Sequence, residues 1–276
     1  MTDTIAHADS SFLSRLYDTL SQRAQEPHPE QARSVSIAGL SCGWATLAAC
    51  DALRHLEQVE ILPGSLRIGP TLQPGPQLNA LLAQVAQTLR AADCLRGWRD
   101  ELLNVDAQTQ RLGVIERAAM RPLGLLTQAV HLNAWTPDGR LWVARRALNK
   151  ATDPGMWDTL VGGLAGSGED LEQALLRECG EEAGLDPGQL TQRTPLRTVL
   201  RMRRRLPEGY QVEDLLTSTC VLAPDCRPAN RDGEVMEITT LSVPQAVQRI
   251  EHEEFTLEAA LVILEDIMRH RAANEI

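Results

Sequence analysis

Glu178, Glu181 and Glu182 stand at positions i, i+3 and i+4, so on a helix their carboxylates share one side. Like charges at that spacing repel and weaken a bare helix by about a few tenths of a kcal/mol per pair. A hard divalent cation relieves the repulsion, because Mg2+ takes carboxylate, water and phosphate oxygens. Just upstream, Gly162, Gly163, Gly166 and Gly168 make a loop nearly free of side chains. Such a loop running into a helix N-terminus brings backbone amides close to phosphate oxygens. Taken alone, the carboxylates read equally well as a solvated acidic face, and a glycine loop is weak evidence. Asp170 and Glu172 need no catalytic explanation, since acids in a first turn suit the helix dipole.

This chemistry requires a strand, a glycine turn and a helix in succession. MWDTLVGGLAG reads as the strand and turn, and Glu169–Ala183 as the helix, stopped by Gly184 with Pro187 soon after. Before them, residues 125–136 and 141–148 alternate as strands around the turn Pro137-Asp138-Gly139, a hairpin. Strands are expected at 195–206, 214–223 and 234–241, with helices at 243–250 and 256–271. In the first half, 34–47 reads as strand, turn and strand, 48–58 and 78–93 as helices, and 111–120 as a strand. The Pro/Gly-rich stretch from Glu60 to Gln77 reads as turns or loop. Phe12–Leu20 is an amphipathic stretch that must pack on something else. The expected organisation is an α/β N-terminal domain over 1–118, opening with a polar segment 1–33, and a mixed α/β domain over 119–276.

Charge placement narrows the function. The chain of 276 residues has 27 basic against 37 acidic side chains, a net of −10. That balance excludes a generic nucleic-acid or anionic-membrane binder, which needs a basic footprint. Half of the excess lies in the 14 residues Glu169–Glu182, with six acids and one base. Arg193–Arg205 then carries six arginines and no acid, which reads first as a solvated basic strand edge. None of the six cysteines forms a C-x-x-C pair, so free, mostly buried thiols are expected. The opening residues lack an apolar core for a secretory leader, and no apolar run approaches a bilayer span. A cytoplasmic protein is the expectation.

The whole segment resembles the Nudix box, G-x5-E-x7-R-E-U-x-E-E-x-G-U with U a bulky apolar residue. Gly163, Glu169, Arg177-Glu178, Glu181-Glu182 and Gly184-Leu185 match it, and Cys179 replaces the first U. Cysteine is a small apolar residue, so that departure weakens packing and leaves the metal face intact. The flanking sequences are similar to a Nudix subgroup with an extra N-terminal domain, related to thiamine pyrophosphokinase. The resemblance implies an α/β/α sandwich with a mixed sheet, preceded by a smaller α/β domain. It implies hydrolysis of a diphosphate linkage with Mg2+, or Mn2+ in its place. Thiamine diphosphate or its damaged oxo/oxy analogues is the implied substrate. ADP-ribose, NADH-type dinucleotides, oxidised nucleotides and a non-catalytic sensing module are the alternatives.

By the same resemblance Glu178 and Glu182 are the main metal ligands, Glu181 is a ligand or water-positioning base, and Arg177 with Glu169 orients the carboxylates. Other candidates rest on placement. Glu213 and Glu234 complete the metal shell, line the substrate site or serve as base, or are ordinary strand-end carboxylates. Arg145 (or its neighbour Arg146) and Lys150 precede the box and are candidate phosphate ligands; only one of two adjacent strand residues can face the site. Gly163 and Arg201 are further substrate-side candidates, and His131 with Asn133 either meets the organic part or forms a satisfied polar pair. Isopentenyl-diphosphate isomerase chemistry would need a cysteine in the hairpin region, and 119–160 has none. The expected partner is a small anionic diphosphate, neither nucleic acid nor membrane, with a homodimer allowed.

Overall fold

The computed structural model describes residues 10–150, 152–190, 192–231 and 233–273. The opening nine residues, on which the expectation about a leader rests, lie outside that set. The first described element is α1 (Ser10–Arg23), the amphipathic stretch. There follow β1 (Arg33–Ile37), β2 (Leu40–Ala45), α2 (Leu47–Leu53), β3 (Val59–Leu62), β4 (Ser65–Ile68) and α3 (Pro76–Ala91). The Pro/Gly-rich stretch expected to be loop therefore holds two strands. Pro63-Gly64 is the turn between them, and Val59/Ile61 and Leu66/Ile68 alternate inward. These strands form a four-stranded sheet in the order β2-β1-β4-β3. A separate hairpin, β5 (Leu102–Ala107) with β6 (Gln110–Glu116), leads through a single 3-10 turn at Arg117–Ala119 into the short α4 (Met120–Leu123).

The second half begins with β7 (Leu126–Trp135), β8 (Leu141–Arg146), β9 (Trp157–Thr159), β10 (Val161–Leu164) and α5 (Leu171–Ala183). It closes with β11 (Arg197–Leu206), β12 (Gly209–Val221), β13 (Val235–Leu241), α6 (Val243–Glu251) and α7 (Leu257–Ala272). The seven strands form one mixed sheet, in which β12 runs parallel to β7 and the other pairs are antiparallel. Alternation along the strands sends Val130, Leu132 and Ala134 to one side, where Leu175, Cys179 and Ala183 of α5 cover them. Ala129, Trp135 and Leu215 join the other side under α7. Leu13 and Leu20 place α1 on that same layer. The result is the helix–sheet–helix sandwich, with α1 returning across the chain to complete it.

The expected hairpin of β7 and β8 is closed only at its turn, at the pair Trp135–Leu141. Beyond that the two strands separate. A third strand, kinked at Leu160, enters the gap: its β9 half pairs with β8 and its β10 half with β7. This insertion carries the glycines of the box into the middle of the sheet.

The basic strand β11 is an edge whose Arg201, Arg203 and Arg205 are exposed, but its far end is not bare. Residues 24–28 lie along it, with Arg203 N–H donating to Ala24 O at 2.7 Å and Glu26 N–H to Arg203 O at 3.0 Å. The Arg205 guanidinium donates to Pro27 O at 2.7 Å. Unpaired backbone groups of Arg203 are thereby covered.

Close backbone approach joins the two halves. A Cβ on Gly43 of β2 would lie 2.4 Å from Leu123 O, and one on Gly124 2.5 Å from Trp44 O. Gly43→Ala should therefore destabilise the protein by about 1–3 kcal/mol, the range for forcing atoms into a filled space. Urea unfolding of the two proteins measures this, and an unchanged midpoint would show that β2 and α4 can part freely.

Candidate active site

Gly162 and Gly163 sit in β10 opposite His131 and Val130 of β7. A Cβ on Gly163 would lie 2.0 Å from the Glu178 carboxyl, so only glycine lets α5 press that carboxylate against the strand. The next glycine holds the second carboxylate, since Gly162 N–H donates to Glu182 Oε2 at 2.9 Å. The helix that carries both is fixed at its ends. Asp170 and Gln173 form a reciprocal capping box, and Gly184 ends the helix in the left-handed conformation at φ 62°. Cys179 faces the core among Leu175, Ala183 and Cys220, as an apolar residue in that position should.

Arg177 gathers the acids. Its guanidinium donates to both oxygens of Glu169 at 3.0 and 2.7 Å, to Glu178 at 2.9 Å, to Glu181 at 3.0 Å and to Leu164 O at 3.1 Å. That hydrogen bonding holds the Glu169 carboxyl below its usual range and keeps Arg177 charged. Gly166 N–H adds a bond to Glu169 at 2.6 Å. The buried carboxyls behave oppositely. Burial raises Glu178 against the pull of Arg177, and burial together with the charge of Glu178 pushes Glu182 up to about 8. Glu181 remains half-exposed.

This donor set suits a hard cation. Glu178 and Glu182 each keep one oxygen without a hydrogen bond among the described residues. Among those residues no group of three or more His, Cys, Asp or Glu side chains converges as a ready-made cage. Two carboxylates completed by waters and substrate phosphate is the pattern Mg2+ prefers, because it gives up its water reluctantly. Glu181 is bonded to Arg177 through Oε2.

A cleft of about 140 Å³ opens on the other side of the two glycines, floored by Gly162, Gly163 and Leu164. Arg146 and Lys150 line it, paired with Asp158 at 2.9 Å and with Glu234 respectively. Burial works against ionisation of Glu234, but the Lys150 ammonium, helped by Arg117 and Arg99, holds its carboxyl below the usual range. Glu213 faces the cleft from β12, buried, accepting from Thr127 Oγ1 at 2.6 Å and Gln211 Nε2 at 3.0 Å. Burial and the nearby charge of Glu258 raise it. His131 is buried in the cleft wall with Nδ1 at 3.0 Å from Thr159 Oγ1 and Nε2 unpartnered among the described residues. Burial lowers its pKa, so it stands neutral.

Thus Lys150, His131, Gly163, Glu213 and Glu234 come together around the cleft, with Glu169, Arg177, Glu178, Glu181 and Glu182 behind its glycine floor. Two expected residues do not join them. Arg145 turns to the opposite side of β8 from Arg146, bonding Gly155 O at 3.0 Å and lying over the Trp157 ring. Arg201 points away from the cleft and is held by both oxygens of Asp214 at 2.6 and 2.8 Å. Asn133 is structural, bonding Val262 O of α7 at 3.2 Å. Trp135 likewise donates to Asp266 at 2.9 Å within the core. Asp158, Gln211, Glu258, Arg117 and Arg99 also line the cleft and were not singled out. Alternation from Arg146 along the paired strands could have found Asp158; nothing local marks the others.

Residues 126–262 match the model of the NUDIX domain. The chain belongs to that family. It is 29% identical over 213 residues to Nudix hydrolase 24, chloroplastic, of Arabidopsis thaliana, covering 75% of this chain and 58% of that one. It is 32% identical to the isopentenyl-diphosphate Delta-isomerase of Salmonella heidelberg over 139 residues, half of this chain and 75% of the isomerase. The crystal structure of DR0079 from Deinococcus radiodurans covers 60% of this chain and 96% of its own, at 21% identity and a TM-score of 0.42. The chain spans about three-fifths of the length of the Arabidopsis and Saccharomyces cerevisiae relatives it matches. The Arabidopsis match is longer than the NUDIX range, so it extends outside 126–262. No helix among the described residues of this NUDIX protein is long and apolar enough to cross a membrane.

The raised Glu182 sets a pH dependence for cation binding. Below about 8 the metal-free protein carries a proton on Glu182 that a cation must displace. Mg2+ affinity should therefore climb as pH rises toward about 8 and level off above it, with proton release on binding. Calorimetric titration in buffers of different ionisation enthalpy reads both. Affinity and proton release that are flat through that window would contradict the assignment.

Proposed function

We propose that this protein hydrolyses the diphosphate linkage of a small organic diphosphate with the help of Mg2+ or Mn2+. The observation that carries the reading is the pair of buried carboxylates, Glu178 and Glu182, against a glycine strand that floors a cleft where arginines and Lys150 stand beside acids. The cation, when bound, supplies charge stabilisation for phosphoryl oxygens and lowers the pKa of a water. The chain supplies the rest. Arg177 keeps Glu178 and Glu181 aligned by tying them to Glu169. Arg146 and Lys150 offset negative charge at the rim while remaining paired. Glu213 is the base this reading favours: it faces the cleft, and burial raises its carboxyl above the usual range.

The resemblance to the thiamine pyrophosphokinase-related subgroup supports thiamine diphosphate, or its oxo/oxy analogues, as the substrate cleaved to the monophosphate. ADP-ribose and NADH-type dinucleotides are its rivals. The likeness to an isopentenyl-diphosphate isomerase supports a diphosphate ligand but not isomerisation, because no cysteine lines the cleft among the described residues. Burial raises the thiols of Cys179, Cys220 and Cys226, which face the core. A nucleic-acid role finds no support in β11, where Arg197, Arg201 and Arg204 are paired with acids of this chain.

Glu182→Gln keeps the size of the side chain and removes its charge. Hydrolysis should fall on the order of a hundredfold to a thousandfold, the scale of losing one preorganised electrostatic group. The assay is a panel of thiamine diphosphate, its oxidised analogues, ADP-ribose and NADH with Mg2+, followed by phosphorus NMR of the products. Thermal stabilisation by a ligand without turnover would point to a sensing module instead. An unchanged rate in the variant would remove the box from the chemistry.

A further inference from the structure

The cleft has a second wall, built by residues that precede the NUDIX range. Arg99, in the loop before β5, and Arg117, in the turn after β6, both line it. Their segments are fixed to each other by backbone bonds. Glu116 is only 3% exposed and accepts the N–H of Arg99 at 2.8 Å and of Ala118 at 3.4 Å. Arg117 N–H donates to Glu101 O at 2.8 Å, and its guanidinium to the Glu101 carboxylate at 2.7 Å. A buried carboxylate is costly unless hydrogen-bonded. Here it is committed to holding two arginine-bearing segments together. The same hairpin is tied to the box loop, because Ser167 N–H donates to Leu102 O at 2.7 Å.

Arg99 differs from the paired cations, among which Arg117 is bonded to Glu101 at 2.7 Å. Arg146 and Lys150 are already neutralised by Asp158 and Glu234. The Arg99 guanidinium forms no hydrogen bond or ion pair among the described residues, and Arg117 uses one nitrogen of its fork. The charge of Arg117 is felt at both Glu178 and Glu234, and that of Arg99 at Glu234. So these groups stand within electrostatic reach of the box from the opposite wall, with planar donors left over.

We propose that Arg99 and Arg117 form a clamp on the substrate's diphosphate, so that the N-terminal unit completes a cleft the NUDIX domain only half encloses. The clamp rests on the diphosphatase reading above. Anionic oxygens would then be gripped between the metal-binding carboxylate side and a fixed arginine wall, which restricts their orientation.

The probe is inorganic pyrophosphate with Mg2+, titrated calorimetrically into the full chain. Arg99→Met and Arg117→Met should each weaken binding about tenfold, the worth of one charge-assisted hydrogen bond. Arg117→Lys should recover part of the loss. Arg54→Met removes the same charge from an exposed pair with Asp51 on α2, outside the cleft, and should bind like wild type. If Arg117→Met does not fold, Arg99→Met and Arg117→Lys decide, since Arg99 has no side-chain bond to lose. Wild type that binds pyrophosphate, with Arg99→Met and Arg117→Lys binding equally well, overturns the clamp and leaves the diphosphatase reading standing. An equal loss in Arg54→Met reduces the effect to overall charge and overturns the clamp as well. Wild type that neither binds pyrophosphate nor hydrolyses any diphosphate overturns both.

Discussion

A missing side chain at Gly163 is the constraint on which the site depends. The Glu178 carboxyl occupies the space where a Cβ would be, at 2.0 Å. Beside it Glu182 accepts from the N–H of Gly162, and both carboxylates are buried where water is largely withdrawn. Their raised pKa values follow from that burial, with the charge of Glu178 added at Glu182 and that of Glu181 at Glu178, not from any special chemistry of glutamate. The inserted strand β9–β10 makes this geometry available. It opens β7 from β8 and carries two glycines between the helix on one side and the cleft on the other.

Arg177 resolves the conflict such a site creates. Several acids on one helix would repel, and the guanidinium fork spreads one positive charge over Glu169, Glu178 and Glu181. Its bond to Leu164 O adds the strand to the same network. The negative charge is thereby held in place while two oxygens are kept in reserve. A net charge of −10 says little about what an incoming anion meets, because arginines and Lys150 line the cleft alongside Asp153, Asp158, Glu213, Glu234 and Glu258.

The rest of the chain is built around this centre by contacts distant in sequence. α1 lies on α7 at the far end of the chain, and residues 24–28 cover the edge strand β11. The first sheet meets α4 where Gly43 and Gly124 allow backbone to touch backbone. The β5–β6 hairpin bonds the box loop through Leu102. Removing the N-terminal unit would therefore change the walls of the cleft as well as the outline of the molecule.

Sequence alone determined the box, the helix that bears it, the strands before it and the layered α/β class, but not that a third strand would part the β7–β8 hairpin beyond its turn. Those features are local: glycines and acids at fixed spacing, a capping pair, and alternating strands all act within a few residues. It left open whether Arg145 or Arg146 faces the site, and β8 decided for Arg146, since adjacent strand residues point to opposite faces. It marked the arginines of 193–205 as one basic edge, but their acidic partners lie elsewhere in the chain, so their pairing was invisible. It read 60–77 as turns or loop because a Pro-Gly turn outweighed two short alternating strands. Asp158, Glu258, Arg99 and Arg117 reached the cleft only through the folded path of the chain. No short-range spacing encodes which distant segments a sheet and its covering helices bring to one face, so tertiary structure alone decided them.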